Sequence, residues 1–221
     1  GNRSPRAAEV TSGLGPGGHR TAGAGSGRRA RRAAAAVHAV AGRGRGAAGQ
    51  REPHTMSLAT ADADGLPDVR IVMLHGADAD GWAFATHAHS RKGGHLAVRP
   101  YAALAFHWPA LGRQVRLRGP VATAPAEEAQ ADLHARSTGA LAAALTGRQS
   151  DLLGSVEELA RASDEAWERA RREPDAPAPS WTLYRLRPDE VEFFQGDARR
   201  RHVRLRYRRT GEGWARELLW P

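Results

Sequence analysis

The chain contains no cysteine. A disulfide framework, a thiolate metal site and a cysteine nucleophile are therefore excluded, and any redox chemistry needs a borrowed cofactor. No other metal site is suggested by the spacing of its ligand-type residues. No window approaches the roughly 18 consecutive apolar residues of a membrane span, and the N-terminus lacks the apolar core of a secretory signal. A soluble, cytoplasmic protein with no membrane partner is expected. Hydrophobic content is low, at 41%, but 221 residues at that level suffice for one packed core. Lysine is almost missing as well: of 33 basic residues only Lys92 is a lysine.

Acidic residues are scarce in one place only. Residues 1–50 hold nine arginines against a single acid, Glu9, whereas the remaining 171 residues hold 24 basic and 23 acidic side chains. The net charge of +9 would ordinarily point to a nucleic-acid partner, but the excess sits almost wholly in that Gly/Ala/Arg-rich stretch. Such a segment cannot offset its ordering entropy by burial. It reads as a disordered tail ahead of one domain at 51–221, with a nucleic-acid or transit segment, or a stretch outside the native coding sequence, as the other readings. A nucleic-acid partner is not expected for the domain.

Order begins near Glu52. Met56 to Ala61, the turn Asp62–Gly65 and Val69 to Leu74 read as a hairpin. A turn from Gly76 to Gly81 leads into a strand at Trp82–Thr86. Ser90 to Val98 reads as a short helix capped by Ser90 and stopped at Arg99-Pro100, followed by strands at Tyr101–Trp108 and Val115–Ala124. Ala126 to about Leu145 reads as one helix. Asp151 to Arg172 reads as a second, with Leu152, Val156, Leu159, Ala166 and Ala170 at helical spacing. After a stiff Pro174–Pro179 linker, β-structure returns at Trp181–Leu186, Val191–Phe194, His202–Tyr207 and Trp214–Leu218. Strands, then helices, then strands give an α+β fold, a barrel decorated by helices.

Two groups of residues stand out chemically. Lys92 follows Arg91 at a helix start, where a point charge, a guanidinium fork and the helix dipole together suit a phosphate; a chance solvated lysine is the plainer reading. In the run from Gln195-Gly196 to Tyr207, a strand at His202–Tyr207 would set His202, Arg204 and Arg206 on one face. A protected sheet edge is the alternative there.

The ordered set Met56-Ser-Leu-Ala-Thr-Ala, Pro67-Asp-Val-Arg70, Phe84-Ala-Thr86-His-Ala-His-Ser90-Arg91-Lys92-Gly93, Leu111-Gly-Arg-Gln114-Val-Arg116, Arg148-Gln149-Ser150, and Val191-Glu-Phe-Phe194-Gln-Gly196 with Arg200 and His202 resembles the pyridoxamine 5′-phosphate oxidase family. The match runs from about residue 52 to Pro221. The resemblance implies a mainly antiparallel, FMN-binding split β-barrel with peripheral helices. It also implies a homodimer with flavin mononucleotide (FMN) at the subunit interface. The cofactor positions it implies are Arg70 with Ile71, Val72, Met73 and Leu74, then Ala85, Thr86, Ser90, Arg91, Lys92 and Gln114. Gln149, Ser150, Phe194 and Arg204 are implied to come from the partner subunit. The family usually has Trp where Phe194 stands, a change that keeps the aromatic face and loses an N–H donor.

The family's vitamin oxidases hold the substrate phosphate with Lys, Tyr, Arg and Ser, at positions that match His75, Asp132, Arg136 and Ala140. Only the arginine remains, and a carboxylate at Asp132 repels a phosphate. Arg200 and His202, which the resemblance places over the reacting face, are kept as catalytic and substrate-binding residues. Arg136 and Arg200 are the expected partners of a substrate carboxylate, and His75 also lines the substrate site.

This combination resembles the phenazine-biosynthesis branch, an antibiotic-pathway group whose flavin oxidases aromatise reduced ring carboxylic acids with O2 and release H2O2. Leu111–Arg116 looks closer to the vitamin oxidases. A pyridoxine/pyridoxamine 5′-phosphate oxidase and a non-enzymatic flavin- or haem-binding split barrel are the alternatives.

Overall fold

The computed structural model describes residues 52–211 and 213–221. The Gly/Ala/Arg-rich tail at 1–50 lies outside the described residues, so its reading stands as an expectation.

Ten strands and four α-helices are described. The strands are β1 (Thr55–Ala61), β2 (Pro67–Met73), β3 (Gly76–Asp78), β4 (Gly81–His87), β5 (Tyr101–Trp108), β6 (Arg113–Thr123), β7 (Trp181–Leu186), β8 (Glu190–Gln195), β9 (Val203–Thr210) and β10 (Gly213–Leu219). The helices are α1 (Arg91–Val98), α2 (Ala126–His134), α3 (Thr138–Thr146) and α4 (Val156–Arg172). All pairings are antiparallel, in the order β10-β9-β8-β6-β5-β1-β2, with β3-β4-β7 closing back onto β6.

The curl of this sheet is set at one residue. Strand β6 pairs β8 through Arg118 and then β7 from Val121, so it must bend between them. Gly119 sits at the bend, where an added Cβ would lie 2.1 Å from the Arg187 carbonyl oxygen. Only glycine admits that approach, and Pro120 follows it.

Alternation gives the sheet an inside and an outside. Met56, Leu58, Leu104, Phe106, Trp108, Val115, Leu117 and Leu186 form the buried core, with Phe84 stacked on Tyr184 at a centroid distance of 5.4 Å. On the other face, Val69, Ile71 and Met73 leave an exposed apolar stripe along β2. Beside it a groove of about 400 Å³ is lined by Ser57, Ile71, Ala105, His107 and Gln114, among others.

A second core of Leu133, Leu141, Ala142, Ala144, Ala166, Ala170 and Ala178 lies among the helices. Here two sequence expectations are corrected. The single helix expected over 126–145 is two, because Ser137 recaps the chain by accepting from Ala140 N–H, and Gly147 in the left-handed region ends α3. Helix α4 starts at Val156 rather than Asp151, since Ser155 accepts from Glu158 N–H as its N-cap. Consequently Leu152, Val156 and Leu159 are exposed, and Ala166 and Ala170 supply its buried face. The stretch expected as a turn at Gly76–Gly81 also contains β3.

Candidate functional site

The first cationic corner is built where β4 turns into α1. Ser90 caps the helix: its Oγ donates to His87 O at 2.7 Å and accepts from Gly93 N–H at 3.2 Å. Gly93 is required, as a Cβ would fall 2.3 Å from Ala88 O. The tight turn sets the helix N-terminus, the positive end of its dipole, beside Lys92 and Arg91.

Lys92 is 9% exposed, and among the described residues no carboxylate or hydrogen-bond acceptor meets its ammonium. Burial, and then the nearby Arg70, push its pKa down. A lysine buried along its stem, with an unpaired ammonium reaching the surface beside a second cation, suits an anion.

Thr86 and the 149–150 turn complete this corner. Thr86 Oγ1 donates to Gln149 Oε1 at 2.8 Å, and Arg91 N–H donates to Ser150 Oγ at 3.0 Å. Ser150 itself holds a left-handed backbone, φ +73°, a cost of the kind that clusters at functional turns. Gln149 and Ser150 thus join this corner within one chain.

Arg70 points into the same corner from β2. Its Nη1 donates to Thr60 Oγ1 at 2.5 Å and its Nη2 to Asp68 Oδ2 at 3.0 Å. Thr60 Oγ1 in turn lies 2.9 Å from His95 Nδ1. Along the same strand Ile71 and Met73 face outward, Ile71 into the groove, while Val72 and Leu74 face the core. A flavin would touch those two only through their backbone. Ala85 packs against Ala83, Ala129 and Leu183.

The second cationic corner, just beyond β2, is different. His75 Nδ1–H donates to Asp132 Oδ2 at 2.7 Å, and Arg136 donates from Nε and Nη2 to both carboxylate oxygens at 3.2 Å. Burial alone would raise the Asp132 pKa. The hydrogen bonds and charges of His75 and Arg136 outweigh it and pull the carboxyl down to about 2. The Nε and Nη2 donors of Arg136, expected to meet a substrate carboxylate, thus face an internal one.

The third corner lies across the sheet. Gln114 on β6 is the ladder partner of both His107 and Phe194. His202 stands 5.2 Å from Phe194, ring to ring, and its Nδ1 accepts from Asp197 N–H at 3.1 Å. That bond fixes the neutral tautomer, so Nε2 carries the proton outward. Arg200 is exposed and held at φ +65° in the turn closed by its own N–H to Asp197 O. Strand β9 begins at Val203, so His202 belongs to the loop and not to the strand face expected for it.

Arg204 is engaged elsewhere: it donates to both oxygens of Glu192 at 2.7 and 3.2 Å and to Trp220 O at 3.0 Å. From β2 to β8 the sheet order counts four ladder steps, roughly 19 Å in a flat sheet.

Two side chains central to these corners escape sequence reading. Asp68 lies 3.0 Å from Arg70 and 3.7 Å from Arg91; the only signal for it is its i−2 position on the same strand face. Glu192 is buried and joins Arg116, at 2.8 Å, to Arg204. Its partners become visible only once the β6-β8-β9 register is known.

Comparison with known proteins bears on these corners. A model of the family described as pyridoxamine 5′-phosphate oxidase matches residues 47–195. One for the pyridoxine 5′-phosphate oxidase C-terminal dimerisation region matches residues 181–221. The pyridoxine/pyridoxamine 5′-phosphate oxidase of Pseudomonas fluorescens Pf0-1 is 42% identical over 77% of this chain and 79% of its own length. That of Salinibacter ruber is 44% identical over 77% and 80%. Among solved structures, PhzG from Burkholderia lata 383, in complex with tetrahydrophenazine-1-carboxylic acid, superposes with a TM-score of 0.74 at 31% identity, covering 83% of this chain and 88% of its own.

Proposed function

We propose that this chain, which belongs to the pyridoxamine 5′-phosphate oxidase family and has its homodimeric split-barrel fold, is an FMN-dependent oxidase of specialised metabolism. Its substrate is a small reduced ring compound bearing a carboxylate, of the phenazine-precursor type. The substrate loses two hydrogens and O2 gains them as H2O2. The observation that carries this reading is the His75–Asp132–Arg136 triad, in which an internal carboxylate occupies donors that would otherwise face a substrate phosphate. The solved relative that binds a tetrahydrophenazine carboxylic acid agrees with it.

The residues of the first corner fit the cofactor. Arg70, Arg91 and Lys92 with the α1 N-terminus would hold the FMN phosphate. Thr86, Ser90, Gln149 and Ser150 shape that cradle, and Gln114 would hydrogen-bond the ring edge. Bound FMN would supply hydride acceptance and reactivity toward O2, which no side chain here offers.

Phe194, Arg200 and His202 lie four strands from Arg70, and a second copy of the chain would bring its own set over the cofactor of the first. The exposed stripe of Val69, Ile71 and Met73 is the apolar surface such a copy would cover. In this arrangement Phe194 walls the ring. Arg200, free of any carboxylate among the described residues, binds the substrate carboxylate. His202 presents the Nε2 proton to the substrate.

A second reading, oxidation of pyridoxine or pyridoxamine 5′-phosphate, is favoured by the names of the relatives at 42–44% identity. Two measurements test the proposal. The purified protein should be yellow and release FMN, identified by mass; a colourless protein that takes up no FMN contradicts it. The Arg200→Ala/His202→Ala double variant should keep its flavin and lose at least about a hundredfold in turnover. Unchanged turnover would remove both residues from the mechanism.

A further inference from the structure

Among the described residues, Asp68 is the one acidic side chain paired with the first corner's cations. It follows Pro67 at the start of β2, two residues before Arg70, so the strand's alternation turns both side chains to one face. Its Oδ2 meets Arg70 Nη2 at 3.0 Å and Arg91 Nη1 at 3.7 Å. The two guanidiniums therefore converge on one carboxylate oxygen, beside a buried Lys92 that has no counter-charge among the described residues.

The three cations differ in how they are held. Arg70 is tied on its other side to Thr60. Arg91 is fixed at its backbone by Ser150, and its side chain, 73% exposed, has Asp68 as its one ion-pair partner among the described residues.

We propose that Asp68 is an intramolecular stand-in for the cofactor phosphate, holding Arg70 and Arg91 until the phosphate takes them over and thereby weakening FMN binding. A phosphate presents three acceptor oxygens and nearly two charges to the same cations, so it displaces a single carboxylate that is 40% exposed. The displaced carboxylate stays close by on a rigid strand. Its lost ion pairs and its repulsion toward the phosphate both oppose loading. No such cost attaches to a flavin without a phosphate.

The inference rests on the flavin reading given above, and the test separates the two. Flavin-free wild type and Asp68→Asn, which keeps shape and removes charge, are titrated into FMN and into riboflavin, following quenching of flavin fluorescence. A thermal melt shows that the variant is folded, and Asp68→Ala provides a second variant. The expected result is FMN binding tighter by roughly three- to tenfold in both variants, with riboflavin binding unchanged. FMN affinity that is equal or weaker in both variants overturns the role of Asp68, as does an equal gain for both flavins. Wild type that binds neither flavin overturns the flavin reading, and this inference with it.

Discussion

Two cationic corners, built from the same β2 strand and the helices that follow, differ in where their negative charge comes from. At the end of β4 a buried lysine stands without a counter-charge, and the single carboxylate nearby serves Arg70 and Arg91 from an exposed position. Just past β2, His75 and Arg136 both donate to Asp132, whose carboxyl is held at about 2. On the proposed reading the first corner, short of an anion, recruits one, and the second, which carries its own, rejects another. Two clusters of basic residues thus differ in how a carboxylate meets them: at one edge of three in the first, between both members in the second.

The largest effect is expected at the first corner. Lys92→Met should weaken FMN binding by about a hundredfold, since hydrogen bonds to charged groups contribute roughly 1.5–3 kcal/mol. Equilibrium titration of flavin fluorescence measures it, and affinity within twofold of wild type would break the contrast.

Next is a pH dependence at the second corner. The Asp132 pKa is depressed from 3.8 to about 2, so its contribution to stability is complete above about pH 4 and is lost as pH falls toward 2. The size is about 2 kcal/mol. Denaturant midpoints should show wild type exceeding Asp132→Asn at pH 7 and the two converging near pH 2; a gap that is constant with pH would contradict the ion-paired state.

A smaller effect concerns the substrate. Asp132→Asn frees Arg136 and should lower the KM for pyridoxamine phosphate about tenfold while leaving FMN affinity alone. A KM that does not move would mean that Asp132 is not what rejects phosphate. Smallest is a control remote from the chemistry of both corners: Ser155→Ala removes the cap of α4 and should cost about 1 kcal/mol, read as a lower melting temperature with unchanged FMN affinity.

Much of this was legible in the sequence, for identifiable reasons. The runs Met56–Ala61 and Val115–Ala124 marked strands, because each lies on a sheet with one dry side that imposes a residue pattern. The lone lysine and the Ser90 cap marked the first corner, since both act through neighbours close in the chain.

The helical region was harder. Leu152, Val156 and Leu159 fit a helical period, yet Ser155 starts the helix later and alanines fill its core face, so the apolar period there did not report burial. The triad and the Glu192 bridge were out of reach for another reason. His75 and Asp132 are 57 residues apart, and Glu192 is 76 from Arg116. Their pairing follows from packing and register, which a residue pattern does not encode.

The central claim is that a flavin oxidase has kept its cofactor corner and closed its phosphate-gripping corner from within. Peroxide production by the FMN-loaded protein, compared at equal concentration between a reduced phenazine carboxylate and pyridoxamine phosphate, tests it directly. The account predicts steady turnover of the carboxylate and little or none of the phosphate ester. Fast turnover of pyridoxamine phosphate with none of the carboxylate would contradict it.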